Sequence, residues 1–328
     1  MRITSKELAR ICGVSIGTID RALNNRGEIR AETREKVLRI ARDLGYRPHL
    51  VARSLKTGRT MTVGVVVFDL DNRFFAQLVN AAEHAARESR YFVYLTHSNH
   101  DLEQERDCLE HLAGLDVDGI LLVPTNRGPD FAKLIRGLHA PVVTVGNRLG
   151  AGVPFVGIQD RQAMKNAVQL VSRKGYERIV YVSPPLSYKG RENIYEVAER
   201  LEGVRESARE IGMPLIVLKD KGFPDVLEDA VRRTGARTAV MCSSDIYALQ
   251  CLELVRAWGM QVPRDVGLIG FDDIDLLKYV RPSLTTISYP IRQIASEAFA
   301  LLKRLMEGEA EPPEAPLIET RIVERESL

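Results

Sequence analysis

Apolar residues recur every three to four positions along the first 45 residues, then give way to short continuous runs. Leu8, Ile11 and Cys12 fall at i, i+3 and i+4, which predicts a short amphipathic helix. Thr4-Ser5-Lys6-Glu7 before it fits a capping box, with Thr4 as N-cap and Glu7 reaching back to the open backbone donors. Gly13 supplies a tight turn, and Ser15 caps a second helix in which Ile19, Ala22 and Leu23 face inward. The opposite face presents Gly17, Asp20, Arg21 and Asn24. A third helix carries Val37, Ile40, Ala41 and Leu44 and ends at Gly45. Two short helices joined by a Gly-containing turn form the helix-turn-helix pattern, whose second helix enters the major groove of DNA. A three-helix scaffold with a solvated charged face has the same spacing.

From Met61 onward the period changes. Thr62–Phe68, Tyr91–Thr96, Gly119–Pro124 and Val142–Gly146 read as strands, with helices starting near Phe74, Glu103 and Pro129. The rhythm resumes at Ile179–Ser183, Leu215–Leu218, Thr238–Ser243 and Val266–Gly270. Continuous Val, Ile and Leu runs between helices mark parallel strands buried on both faces. Two sets of such units imply two doubly wound parallel-sheet lobes with a cleft between them. The expected fold is an all-α head on an α/β core.

Charge divides the chain at the same place. Residues 1–60 hold 14 Lys and Arg against 6 Asp and Glu, while the remainder holds 32 against 38. A basic head on a mildly acidic body is the electrostatic footprint of a nucleic-acid module joined to another kind of domain. Residues 46–59 add a short helical core after Pro48, then a basic, Gly-containing linker. Leu55, apolar among bases, suits a wedge between base steps in the minor groove. Cys12, Cys108, Cys242 and Cys251 show no metal-ligand spacing, so they read as buried free thiols and no metal or cofactor is expected. No apolar run approaches the roughly 18 residues of a membrane span. The first residues lack the apolar core of a secretory signal, so the expected location is the cytoplasm.

The combination resembles the lactose-repressor/galactose-repressor family of bacterial transcription regulators. The carrying residues are Leu8 to Ser15, Thr18 to Asn24, Thr33 to Val37, Leu44 to Pro48 and Val51 to Leu55. The resemblance implies that Ile16, Gly17 and Arg21 meet base edges and that Leu55 pries open a central step. Arg21 has the fork that matches guanine O6 and N7, whereas Ile16 suits either a thymine methyl or a buried position. Thr4, Ser15, Thr18, Asn24 and Asn25 complete the expected DNA contacts on the head. Tyr46, Arg47, His49, Ala52, Arg53 and Lys56 do so beyond it. Asp20, Arg30 and His49 depart from the family pattern, which bears on the operator sequence rather than on DNA binding. The implied domains are 1–47 (helix-turn-helix), 48–60 (hinge helix and linker) and 61–328 (effector-binding core). Within the core, lobe one spans about 61–157 and 290–315, and lobe two about 158–288 and 316–328.

The body resembles the same family, whose core is like a periplasmic sugar-binding protein. The markers are Asp69 to Phe75, Ile158-Gln159-Asp160, Arg200 to Gly203, Ser243-Ser244-Asp245, Gly270 to Asp273 and Arg281 to Ile287. Arg73 stands where the family often has proline. Ligands of doubly wound lobes lie beyond the C-terminal strand ends, where Asp69, Asn147, Arg148 and Asp272 follow predicted strands. Carboxylates accept from hydroxyls, arginine donates in a fixed fork, and Phe74 offers a stacking face for a sugar. The family placement makes Arg200 and Asp272 the main clamp, with Asp160, Ser244 and Phe223 contributing. Arg200 and Asp272 as interlobe salt bridges or caps, and Phe74 and Phe223 as core residues, are the plainer readings.

The expected protein is a homodimeric or tetrameric regulator that binds double-stranded operator DNA and a sugar-like effector. A transport-type solute-binding protein has the same body but not the basic head. An enzyme is disfavoured because no glycine-rich dinucleotide fingerprint, phosphate loop or serine elbow occurs.

Overall fold

The computed structural model describes residues 3–23, 27, 29–46, 58–150, 152–183, 194–219, 222–232, 235–310 and 316–328. The chain divides into two compact units, Met1–Met61 and Thr62–Leu328.

In the first unit, helices α1 (Ser5–Cys12), α2 (Ile16–Leu23) and α3 (Ala31–Asp43) enclose a small core. Leu8, Ala9, Cys12, Ile19, Ala22, Val37 and Ala41 form it. Thr4 caps α1 as expected, accepting from the Glu7 amide while Glu7 bonds the Thr4 backbone. Gly13 takes the left-handed conformation that turns the chain into α2. Two positions depart from the expected stripes: Ile11 and Leu44 are exposed. At about 100° per residue, the buried arc of α1 runs from Leu8 through Cys12 to Ala9, and Ile11 lies outside it. Ala9 takes the place that the spacing gave to Ile11.

The second unit holds two sheets. Strands β1 (Thr62–Val67), β2 (Phe92–His97), β3 (Gly119–Leu122), β4 (Val142–Val145) and β5 (Phe155–Val156) form the first, all parallel, in the order β2-β1-β3-β4-β5. The second contains β6 (Arg178–Val182), β7 (Leu215–Leu218), β8 (Thr238–Cys242), β9 (Val266–Asp272), β10 (Thr285–Ser288) and β11 (Arg321–Val323). Its order is β11-β10-β9-β8-β6-β7, parallel except for β10 with β11. Each lobe therefore repeats one winding, with its order reversing at β1/β3 and at β6/β8. A crevice opens at such a reversal, outside the carboxyl ends of the strands.

The chain passes between the lobes three times. Ile158 and Ile318 form a parallel bridge, with the Gln159 amide donating to the Ile318 carbonyl at 3.0 Å. The third passage runs from β10 through Tyr289 into helix Ile291–Met306, which packs on β3, β4 and β5 of the first sheet. Cys12, Cys242 and Cys251 are buried free thiols, but Cys108 is only half-buried, its Sγ 3.7 Å from the His97 carbonyl at the end of β2. No described helix is long and apolar enough to cross a membrane.

Candidate functional site

Helix α2 projects a short exposed surface. Ile16 is 53% exposed, which removes the buried alternative for it, and Gly17 beside it is exposed as well. Arg21 Nε donates to the Gly17 carbonyl at 3.3 Å, so the guanidinium lies back along the helix. Gly17 leaves that path open, since a Cβ there meets Arg21 Nη2 only at 3.9 Å. The Ser15 hydroxyl caps α2 by accepting from the Thr18 amide at 3.1 Å and also bonds the Thr18 hydroxyl at 2.9 Å. Tyr46 ties the end of the head back to α1, its hydroxyl 2.8 Å from Ser5 Oγ. Thr4 is occupied by its cap, and the Thr4 backbone bond holds the Glu7 carboxyl below its usual range. Asn24, Asn25, Arg47, His49, Ala52, Arg53, Leu55 and Lys56 lie outside the described residues.

In the core, the predicted residues converge on Arg200. Helix Tyr195–Glu210 carries it, and Asp160 opens helix Asp160–Arg173 beside it. Arg200 Nε donates to Asp160 Oδ1 at 2.7 Å, its Nη1 donates to the Ser243 carbonyl at 2.9 Å, and its Cζ lies 3.7 Å from the centroid of the Phe271 ring. The direct partner of Arg200 is thus Asp160. Asp272 acts on it only through its charge, and no hydrogen bond joins them among the described contacts. Burial pushes the Asp160 carboxyl up to about 7 against the pull of Arg200, while Asp160, Glu196 and Asp272 hold the guanidinium charged despite its burial. Burial also raises Asp272, which ends β9 with φ +114°, a strained value for a residue with a side chain.

The other predicted residues stand around this cluster. The Asn147 amide group donates to the Pro124 carbonyl at 3.2 Å, and its oxygen accepts from the Glu196 backbone at 3.2 Å. Phe74 is buried in edge-on contact with Phe75 and Tyr289. Asp69 accepts from the Asp71 and Asn72 amides, and His100 lies 3.8 Å away; that imidazole, foremost, lowers its carboxyl pKa. Arg148 is exposed, 5.8 Å above the Phe155 ring. Phe223 is buried edge-on to Tyr247, apart from Arg200's own contacts. Ser244 precedes helix Asp245–Ala257 without capping it through its side chain.

Two residues at the centre were absent from the sequence reading. Glu196 sits one turn before Arg200, with its Oε1 3.7 Å from Arg200 Nη2. The Tyr289 hydroxyl donates to the same Oε1 at 3.3 Å. The Glu196 carboxylate lies directly over Gly146 at the end of β4, where an added Cβ falls 2.8 Å from Oε1. Gly146 also has φ +74°. Glu196 thus joins the helix of one lobe to the strand end of the other and to a crossover. The i, i+4 spacing to Arg200 was the available signal. A second interlobe contact is the bidentate pair of Arg73 with Asp275, at 2.8 and 2.7 Å. No group of three His, Cys, Asp or Glu among the described residues is placed to hold a metal.

Residues 4–49 match the family model described as bacterial regulatory proteins, lacI family, and residues 168–328 match the periplasmic binding protein-like domain. The HTH-type transcriptional regulator RegA of Clostridium saccharobutylicum is 30% identical over 100% of this chain and 99% of its own. Among solved structures, the lac repressor dimer bound to operator and the anti-inducer ONPF aligns with TM-score 0.87 at 21% identity, covering 100% of this chain and 99% of that one. The transcriptional regulator CelR–cellobiose complex aligns with TM-score 0.70 at 27% identity, covering 99% and 100%.

Proposed function

Because the chain belongs to the lacI family of bacterial regulatory proteins, we infer that its two units divide recognition between DNA and a small molecule. It is a sequence-specific DNA-binding transcriptional regulator, not an enzyme, and its core takes a sugar or sugar-derived effector. CelR is similar over the whole chain and is solved with cellobiose, which supports that ligand class.

On the head, Arg21 reads guanine, Ile16 meets a thymine methyl, and Gly17 permits close approach. Two heads on a homodimer read a pseudo-palindromic operator. Edge strand β2 exposes Phe92, Tyr94 and Leu95, an apolar edge suited to a second copy. The cytoplasm is where such a regulator meets DNA.

The observation that carries the effector site is the group of buried Asp160, Arg200 and Asp272 with half-buried Glu196 beside Arg200. Arg200 and Asp160 come from one lobe, while Asn147 and Gly146 of the other face Glu196. A ligand that bonds both lobes stabilises one interlobe angle over another. Such differential affinity typically couples two sites by about 1–3 kcal/mol. The test is selection of binding sites from a randomised duplex pool by the full chain, followed by retention of the selected duplex across sugars, polyols and nucleosides. A two-fold-related consensus whose retention changes with one compound class supports the reading. No enriched sequence, or retention indifferent to every compound, overturns it.

A further inference from the structure

The cleft assigned above to an effector carries an asymmetry of charge. Three carboxylates, Asp160, Glu196 and Asp272, gather around the single guanidinium of Arg200. Arg200 is already committed: Nε to Asp160, Nη1 to the Ser243 carbonyl, one face on the Phe271 ring. Nη2 lies 3.7 Å from Glu196 Oε1, so an anion approaching the guanidinium meets carboxyl groups at close range in a largely buried site. The acceptors, in contrast, remain in surplus. Among the described residues, Glu196 Oε1 receives only the long 3.3 Å bond from Tyr289 and the 3.7 Å approach of Arg200. Ser243 Oγ, buried at the same strand end, has no hydrogen-bond partner among the described residues. The site has open hydroxyl chemistry and unfilled acceptor capacity, which calls for a ligand rich in donors.

We propose that Glu196 sets the charge preference of the cleft, so that it takes an uncharged or aminated polyhydroxy ligand and rejects sugar phosphates and sugar acids. This rests on the reading of the cleft as a sugar-type effector site. Glu196 is suited to the role because nothing buries it in a strong ion pair, as Asp160 is buried. Its carboxylate spans Gly146 of one lobe, Tyr289 of a crossover and Arg200 of the other lobe. A hydroxyl or ammonium donor placed against it therefore bonds the cleft where both lobes meet.

The experiment uses the full chain and four matched forms of glucose, galactose and mannose: the free sugar, the 2-amino sugar, the uronate and the 6-phosphate. Affinity is read from ligand-dependent melting and from retention of the selected duplex, for wild type and for Glu196→Gln with its fold checked by circular dichroism. The expected result is a free or aminated sugar as the tightest ligand, with its anionic forms at least 100-fold weaker. In Glu196→Gln that gap narrows at least fivefold, and any advantage of the amino form falls. If Glu196→Gln does not fold, the wild-type panel decides the charge claim alone. A uronate or phosphate that binds as well as its parent sugar overturns the proposal and leaves the sugar reading standing. So does an unchanged gap in a folded Glu196→Gln for the role of Glu196. If none of the twelve compounds moves melting or retention, the sugar reading itself falls and the proposal falls with it.

Discussion

The two candidate sites of this chain solve opposite problems. On helix α2, Ile16 and Gly17 are exposed, and half-buried Arg21 bonds a backbone carbonyl of its own helix. In the core, Asp160, Arg200 and Asp272 are each 6% exposed or less, and the two that meet are 2.7 Å apart. An exposed polar group can wait for its partner because water satisfies it meanwhile. A buried one must be paired inside the protein before any ligand arrives. The head therefore gains contacts on binding, whereas the core exchanges them. That difference makes the core the natural place for a conformational response.

The contrast is most easily broken at Arg200. Replacing it by alanine leaves Asp160 buried without its cation, a loss of about 3–5 kcal/mol for such pairs. Chemical denaturation of the full chain should show that loss in the core transition. A stability within about 1 kcal/mol of wild type would mean the pair is not buried in solution. Arg21→Ala trims a half-buried side chain on the helix surface, so head stability should fall by no more than about 1 kcal/mol. Its effect should instead be about 1–3 kcal/mol of discrimination at one operator position. Retention on single-base variants of the selected duplex checks this; an equal loss on every sequence would contradict base readout.

Between these extremes lies Gly146→Ala, which forces a side chain into the left-handed region and against Glu196. A cost of about 1–3 kcal/mol in the core melt is expected. Smaller still is the pH dependence of Asp245, buried at the start of helix Asp245–Ala257. It accepts from Thr286 Oγ1 at 2.6 Å and from the Ile274 amide at 2.9 Å, yet burial pushes its carboxyl up to about 7. Its folded value lies above its unfolded one, so ionisation opposes folding: the cost is absent below about pH 4 and grows as pH rises through about 7. The melting difference between Asp245→Asn and wild type should move in favour of the variant from pH 5 to 8. A flat difference would show that Asp245 is already ionised at pH 5.

Much of the architecture could be read in the chain because parallel strands buried on both faces have no polar alternation to confuse them. Val63 to Val67 and Ala239 to Cys242 are examples. Strand β5 has only two residues and β11 three, too short for any periodicity. The head was harder in detail. Two-turn helices have two plausible apolar faces, and Ile11 and Ile16 are both exposed although each fits an inward spacing. In the core, family markers pointed to Arg200, Asp160 and Asp272, but not to which acid touches the base. Contact depends on side-chain direction from two helices distant in sequence. Glu196 was missed because Glu-x-x-x-Arg on a helix ordinarily marks a solvated surface pair.

The central claim is that one chain separates reading from sensing. It is tested most directly by measuring affinity for the selected duplex, with and without the tightest sugar, in wild type, Arg21→Ala and Arg200→Lys. Arg21→Ala should relax sequence preference yet keep the sugar-dependent factor, while Arg200→Lys should keep sequence preference and lose that factor. An Arg200→Lys chain with the full sugar response, or an Arg21→Ala chain without one, would contradict the account.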